Sequence, residues 1–254
     1  MSPLPPRIES QPFLGLQFES LDQPHAVAMV RELCEGSSFT YVVTPNVDHV
    51  VRLHRQRQDR PLWAAYEKAT LRLCDSRILR ALARLSGHKL ELVPGSDLTE
   101  MILGSTEGLR GAAVVGGDDD LIRNLRALYP GLTWHWHAPP QGVLHDAKAQ
   151  LAIAEFVEDC PAGLFFIAIG SPQSELVCSV ITDRRSARGV GLCIGASLEF
   201  LTGAKARSPR WMQRFGLEWL YRLGTEPTRL WRRYLVEGPR IFLIWWRWRP
   251  SSTR

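Results

Sequence analysis

The residues with most chemical promise stand where short apolar runs stop. After TYVVT (Thr40–Thr44) come Pro45, Asn46, Val47 and Asp48. After LRLC comes Asp75, and after GAAVV come Gly116, Gly117 and Asp118. After LFFIAI come Gly170, Ser171, Pro172, Gln173, Ser174 and Glu175; after GLCI come Gly195, Ala196 and Ser197. Glycines at such points let the backbone approach a phosphate, and helices opening there offer unpaired N–H groups. The set predicts a nucleotide or sugar-phosphate ligand. Asp75 is the carboxylate best placed to act as a base. It closes an apolar run, so it should sit at the lip of a sheet, partly desolvated and with a raised pKa. Asp also caps helices very often, and Asp75 reads equally as the N-cap of a helix that opens at Ser76. Asp48 reads as a first-turn acid, and Asp118, Asp119 and Asp120 as the cap and solvated start of a helix.

Two nucleotide motifs are absent from the sequence. There is no GxxxxGK[ST], and no GxGxxG closes a strand; Gly189, Gly191 and Gly195 open one instead, with the wrong spacing. A P-loop NTPase and a classical dinucleotide dehydrogenase are therefore disfavoured. His135 and His137 share one strand face but lack a third ligand at suitable spacing, so an exposed strand face is expected there and no metal site. The five cysteines are odd in number and form no CxxC pair. That argues against a disulfide framework and a structural zinc, and for a cytoplasmic protein with reduced thiols.

These residues need elements to hold them. Strands are predicted at Thr40–Thr44, Leu71–Cys74, Gly111–Gly117, Leu132–Ala138, Gly163–Gly170 and Gly189–Gly195. Helices are predicted at 46–58, from Ile78 to Leu85, and at Asp118–Leu128, Val143–Val157 and Ser174–Arg184, on the 3.6-residue recurrence of apolar positions. The wholly apolar GLFFIAIG suits the middle of a parallel sheet. Strand and helix in alternation predict an α/β fold: a Rossmann-like, mostly parallel sheet with helices on both faces. From Pro209 onward the pattern becomes helical, over Trp211–Leu223 and Pro227–Trp246, with Pro227 in a first turn. The expected division is a body of residues 1–204 and an appendage of residues 205–254.

Composition sets the two parts against each other. The chain has 254 residues, 45% hydrophobic and 22% charged, enough to bury a core and too apolar for a disordered chain. Its longest apolar runs, Leu164–Ile169 and Ile241–Trp246, fall far short of the roughly 20 residues a membrane span needs. The Pro-rich start shows no apolar signal-peptide core. Residues 205–254 hold twelve Lys/Arg against three Asp/Glu, a local +9 in a chain of net +5, so the rest carries −4. Six of the nine Trp also lie there. Trp with Arg suits a lipid headgroup layer, where the ring lies at the interface and the cation reaches phosphate.

The segment GASLEFLTGAKARSPRWMQRFGLEWLYRLGTEPTRLWRRYL (Gly195–Leu235) closely resembles the end of the bacterial WecG/TagA/CpsF glycosyltransferases. Further likenesses are TPN at Thr44–Asn46, Cys74-Asp75, PGSDL at Pro94–Leu98 and GSPQSE at Gly170–Glu175. The resemblance implies transfer of a sugar from a nucleotide sugar, usually a UDP-sugar, to a sugar linked through diphosphate to a polyprenyl lipid. Transfer would be inverting, without a metal or other cofactor, and would serve cell-surface polysaccharide synthesis. It implies a Rossmann-like domain and a C-terminal appendage that meets an anionic membrane surface, the enzyme lying peripherally on the inner face of the cytoplasmic membrane. It gives Asp75 the role of base, with Thr44 assisting. Asn46, Gly170, Pro172, Glu175 and Gly195 would hold the nucleotide sugar. By pattern, Arg222, Arg229 and Arg232 would hold the acceptor diphosphate. Departures are Gln173-Ser174 for the usual Lys-Gln, Ser76-Arg77 after the Asp where Gly is usual, and Glu199 for Asp. They put the donor sugar in doubt.

Two other readings compete. A non-catalytic nucleotide-sugar-binding protein would keep the sheet and lose turnover. A nucleic-acid binder would use the basic tail, but no RNA or DNA module is recognisable and the tail's aromatics sit among Ile241, Phe242, Leu243 and Ile244, which favours lipid. No nucleic-acid partner is expected. The oligomeric state, including a homo-oligomer, stays open.

Overall fold

The computed structural model describes residues 9–56, 60–209, 212 and 217–248; the side chain of Arg229 lies outside that description. The first element is one the sequence did not announce. Strands β1 (Ser10–Phe13) and β2 (Leu16–Glu19) form an antiparallel hairpin. Its two-residue turn has positive φ at both Leu14 (50°) and Gly15 (84°). Leu is an uncommon choice there. Leu14 is nevertheless fully buried and its carbonyl accepts from His54 Nε2 at 2.9 Å, so tertiary packing holds the turn.

Among the described residues a six-stranded sheet follows, in the order β4-β3-β8-β7-β5-β6 with every neighbour parallel. Its strands are β3 (Phe39–Val43), β4 (Leu71–Arg72), β5 (Ala112–Gly116), β6 (Trp134–His137), β7 (Leu164–Ala168) and β8 (Gly189–Cys193). The apolar β7 lies near the centre, as its composition predicts. Alternate strand residues feed two cores. Tyr41, Val43, Val115, Phe165 and Ile167 face one; Val42, Val114, Phe166 and Leu192 face the other. Helices α2 (Val47–Arg55), α3 (Arg60–Lys68), α4 (Arg77–Leu85), α7 (Ala147–Asp159) and α8 (Gln173–Arg184) cover the first face. Helices α1 (Gln23–Cys34), α5 (Gly95–Leu103), α6 (Asp119–Leu128) and α9 (Ser197–Leu201) cover the second. The expected α/β architecture with helices on both faces is present.

Some boundaries differ from expectation. Only Leu71 and Arg72 of LRLC pair as a strand; beyond them a single parallel bridge joins Cys74 to Leu92. The helix expected over Val143–Val157 is split: Val143–His145 form a 3₁₀ turn and Asp146 caps a new helix, accepting from Lys148 and Ala149 N–H at 2.9 and 3.1 Å. The helix expected over Trp211–Leu223 is described only at Met212 and from Leu217 on, and its last part runs Glu218–Thr225. The expected helix Pro227–Trp246 is broken. Pro227–Trp231 is α-helical, Arg232–Glu237 is π-wound, and Arg240–Arg247 is a new α-helix. Gly238 N donates to Arg233 O at 2.8 Å, five residues back, and Pro239 has no N–H with which to continue the ladder.

The last helix lies on the body. Ile241 is buried in the first core, and Ile244, Trp245 and Trp248 pack against it. Trp245 Nε1 donates to Ser86 Oγ at 2.7 Å, and Trp248 meets Phe13 edge-on, ring centres 5.2 Å apart. The hairpin, missed in the sequence, is thus part of the seat of this helix. Phe242, Leu243 and Trp246 stay exposed on its outer side.

Candidate active site

The sheet topology makes a crevice. The chain leaves β3 and β7 toward helices on the first face, and leaves β8 and β5 toward helices on the second. These four strands are neighbours in the order β3-β8-β7-β5, so the backbone parts above their carboxyl ends. A cleft of about 450 Å³ opens there, within the usual range for ligand sites. The tail contributes Lys205, Arg207, Glu218, Arg222 and Arg233 to its wall.

Asp75 is placed by the backbone around it. Leu73 N donates to Val43 O at 3.0 Å, and Asp75 N to Pro45 O at 3.1 Å, so the segment tracks the end of β3 after strand pairing ends. Val93 N donates to Cys74 O at 2.9 Å and brings in the start of α5. There the Gly95 backbone N–H favours the ionised form of the Asp75 carboxyl. The cap of α4 is Ser76, whose Oγ accepts from Leu79 N at 3.2 Å. That decides against Asp75 as the cap and leaves its carboxyl in the cleft. Thr44 is buried beside it, with Oγ1 donating to Cys193 O at 3.4 Å. A Cβ on Gly95 would stand 3.1 Å from Thr44 Oγ1, so a side chain there would crowd Thr44.

Electrostatics favour a protonated Asp75 at rest. Burial pushes its carboxyl up to about 8; Glu218 and Asp97 add to the rise, while Arg222 and the Gly95 N–H oppose it. Burial raises Glu218 as well. Arg207 closes this end of the cleft, bound to Asp97 and to Glu100 at 3.1 Å. The shift has a consequence for stability. Between the ordinary value near 3.8 and about 8, the native state holds a proton that the unfolded chain has lost. Stability then falls as pH rises through that window. Asp75→Asn lacks this cost. Its melting temperature is expected to pull ahead of the native chain from pH 4 to 8 and to keep a constant lead above. Thermal melts of both chains across pH 4–9 check this; a lead that does not change with pH would contradict it.

The other end of the cleft is built from α2 and the loop after β7. Asn46 caps α2, its Oδ1 accepting from Asp48 N at 3.0 Å and His49 N at 3.3 Å. Burial holds the His49 imidazole down to about 4 against the pull of Glu175, with Arg52 and Arg233 adding to the drop. Tyr66 Oη lies 3.0 Å from His49 Nδ1 and donates to Glu175 Oε1 at 3.2 Å. Glu175 is 1% exposed and its Oε2 has no partner among the described residues. Gly170 (φ 81°) and Gly195 (φ 56°) border the cleft, and nothing lies within 4 Å of where a Cβ would project from either.

The Glycosyl transferase WecG/TagA/CpsF family matches residues 11–254 of this chain. The chain belongs to this family of glycosyltransferases. It is also similar to the N-acetylglucosaminyldiphosphoundecaprenol N-acetyl-beta-D-mannosaminyltransferase of Bacillus subtilis (strain 168), 25% identical over 186 residues, which cover 70% of this chain and 69% of that protein.

In this glycosyltransferase, Asp75, Thr44, Asn46, Gly170, Glu175, Gly195 and Arg222 meet at the one cleft. Pro172 does not line it; it stands at the N-terminus of α8. Arg232 does not line it either. Its side chain is 71% exposed, 3.8 Å from Glu237. Arg229 lies outside the described side chains. Of the two departures in GSPQSE, Ser174 lines the cleft and Gln173 does not. Ser174 Oγ donates to Ile167 O and Gly170 O, each at 3.1 Å. Gln173 bridges Ile169 O and Leu144 N at 3.0 and 3.1 Å. His137 stacks on Phe156. Among the described residues no three His, Cys, Asp or Glu side chains group as metal ligands. Sequence reasoning missed His49, Arg52, Arg207, Glu218 and Arg233 as cleft residues. The i,i+4 spacing of Asp48 and Arg52 was the one signal on offer.

Proposed function

We propose that this glycosyltransferase moves a sugar from a UDP-sugar to a sugar carried on polyprenyl diphosphate, with inversion, in the synthesis of a cell-surface polysaccharide. The observation that carries the reading is the Asp75 carboxyl, half-buried at the carboxyl end of the sheet in a cleft rimmed by arginines. The Bacillus subtilis relative supports the acceptor class by its name.

In this reading Asp75 takes the proton of the acceptor hydroxyl. The freed oxygen forms a bond to the anomeric carbon, and that carbon's bond to the UDP β-phosphate oxygen breaks on the opposite face. UDP leaves with the electron pair, and the proton stays on Asp75. A base near 8 keeps about a tenth of its population ionised at pH 7, and its raised pKa makes that fraction a stronger proton acceptor than an ordinary carboxylate. Thr44 steadies the loop beside it. Asn46, Gly170, Glu175 and Gly195 form the nucleotide-sugar wall, and Pro172 holds the turn into α8. Arg222 reaches an acceptor diphosphate from within the cleft, held over the Phe200 ring at 5.2 Å. The exposed Arg232 would meet it from the lipid side. Residues 205–254 then act as an appendage that closes the cleft and rests on the inner face of the cytoplasmic membrane.

The test is UDP release from a panel of UDP-sugars, with and without a short polyprenyl-diphosphate-linked N-acetylglucosamine. Release that needs both one donor and the acceptor is expected. UDP binding without release from any pair would favour a non-catalytic binding protein instead.

A further inference from the structure

Arg233 and Arg52 line the cleft beside α2 and the loop after β7, and the proposed transfer gives neither a task. They come from distant parts of the chain and converge on one carboxylate oxygen. Arg52 Nη2 lies 2.7 Å from Asp48 Oδ2, and Arg233 Nη2 lies 3.2 Å from the same oxygen. Arg52 Nη1 also donates to Ser171 Oγ at 3.0 Å, which ties α2 to the loop after β7. Two guanidinium groups share one acid, so most of their ten N–H donors are left without a carboxylate. The Nε of Arg233 is buried and has no acceptor among the described residues. A buried, unmet donor is costly, and on a cation it is costlier. It calls for an anionic acceptor that enters the cleft.

The spacing says which anion fits. Arg52 reaches Ser171, after β7, from the helix that follows β3, while Asp75 follows β4, the neighbour of β3 on the far side. One to three strand spacings, about 5 to 14 Å, separate the pair from Asp75. A sugar ring and one diphosphate fill that distance, with the reacting hydroxyl at the Asp75 end. Arginine forks match phosphate oxygens in pairs, and two of them can grip two phosphates. The backbone of the Gly170 turn lies open beside them.

The geometry points to Arg52 and Arg233, set by Asp48, as a two-arginine cradle for a diphosphate in the cleft, beside α2 and the loop after β7. The inference rests on the glycosyltransfer reading for its substrate: the leaving nucleoside diphosphate is the group that would face away from the base. A lipid-borne diphosphate has the same chemistry, so the test must separate the two. The cradle also gives the π-wound segment a task, since it turns Arg233 inward while Arg232 faces out.

The test is equilibrium titration of the full chain with UDP, inorganic diphosphate and a short-chain polyprenyl diphosphate. Arg233→Ala is expected to weaken UDP and inorganic diphosphate tenfold or more, and Arg52→Gln similarly. Arg233→Lys keeps the charge but not the fork and should fall between. Circular dichroism melts identify any variant that fails to fold, and the Lys variant then carries the test. A loss confined to polyprenyl diphosphate would assign the cradle to the acceptor. Unchanged affinity for all three ligands would overturn it, even if the native chain binds UDP well. A native chain that binds inorganic diphosphate through Arg233 but ignores UDP would keep the cradle and sink the nucleotide-sugar reading.

Discussion

Asp75→Ala is expected to keep its fold and to lose a hundredfold or more in turnover, the usual scale for removing a general base. The fold should survive because the Asp75 side chain carries little structure. Ser76 caps the following helix, and the strand-end contacts run through backbone atoms of Leu73, Asp75 and Val93. What the substitution removes there is the pull of the Gly95 N–H on the ionised carboxyl. Removing a half-buried carboxyl that burial destabilises should, if anything, raise the melting temperature. Single-turnover transfer with saturating donor and acceptor, beside a thermal melt, separates the two effects. Near-normal turnover would dismiss Asp75 as the base; a collapsed fold would dismiss the structural argument.

The second large effect concerns the last helix, Arg240–Arg247. Its inner face, Ile241, Ile244 and Trp245, is used by the body. Its outer face carries Phe242, Leu243 and Trp246, 53%, 47% and 76% exposed, flanked by exposed Arg240 and Arg247. A helix apolar on all sides belongs in a core or against lipid. No described helix is long and apolar enough to cross a membrane; the proposed reading lays this one on the membrane surface. Exposed Trp231, Leu235 and Val236 extend the patch. Replacing Phe242, Leu243 and Trp246 together by Ser should remove roughly 3 kcal/mol of apolar transfer, about a hundredfold in partition onto anionic vesicles. Sedimentation with vesicles measures it. Unchanged partition would contradict the membrane role. These substitutions are a cleaner test than deleting the tail, which would also bare Phe13 and the floor beneath Ile241.

Much of the sheet was legible because its strands are short, apolar and closed by polar or glycine residues. The ends that those residues mark are the ends that line the cleft. The place of Asp75 at the cleft was legible for the same reason. The hairpin was not, because Leu14 occupies a turn position that local propensity would give to Asn or Gly, and burial overrides propensity there. The break in the final helix was written in Gly238-Pro239 but obscured by the apolar run after it. The inward turn of Arg233 could not be read from spacing at all. It depends on π-winding at Arg232–Glu237 and on Asp48, which is distant in sequence. Asp48 is the first-turn acid that the sequence suggested, and it also holds two arginines.

The most direct test of the central claim is the pH dependence of kcat/KM for transfer. A base that titrates near 8 predicts a rate that climbs about tenfold per pH unit from 6 toward 8 and then levels. A flat profile from pH 6 to 9 would contradict the assignment of the proton to Asp75.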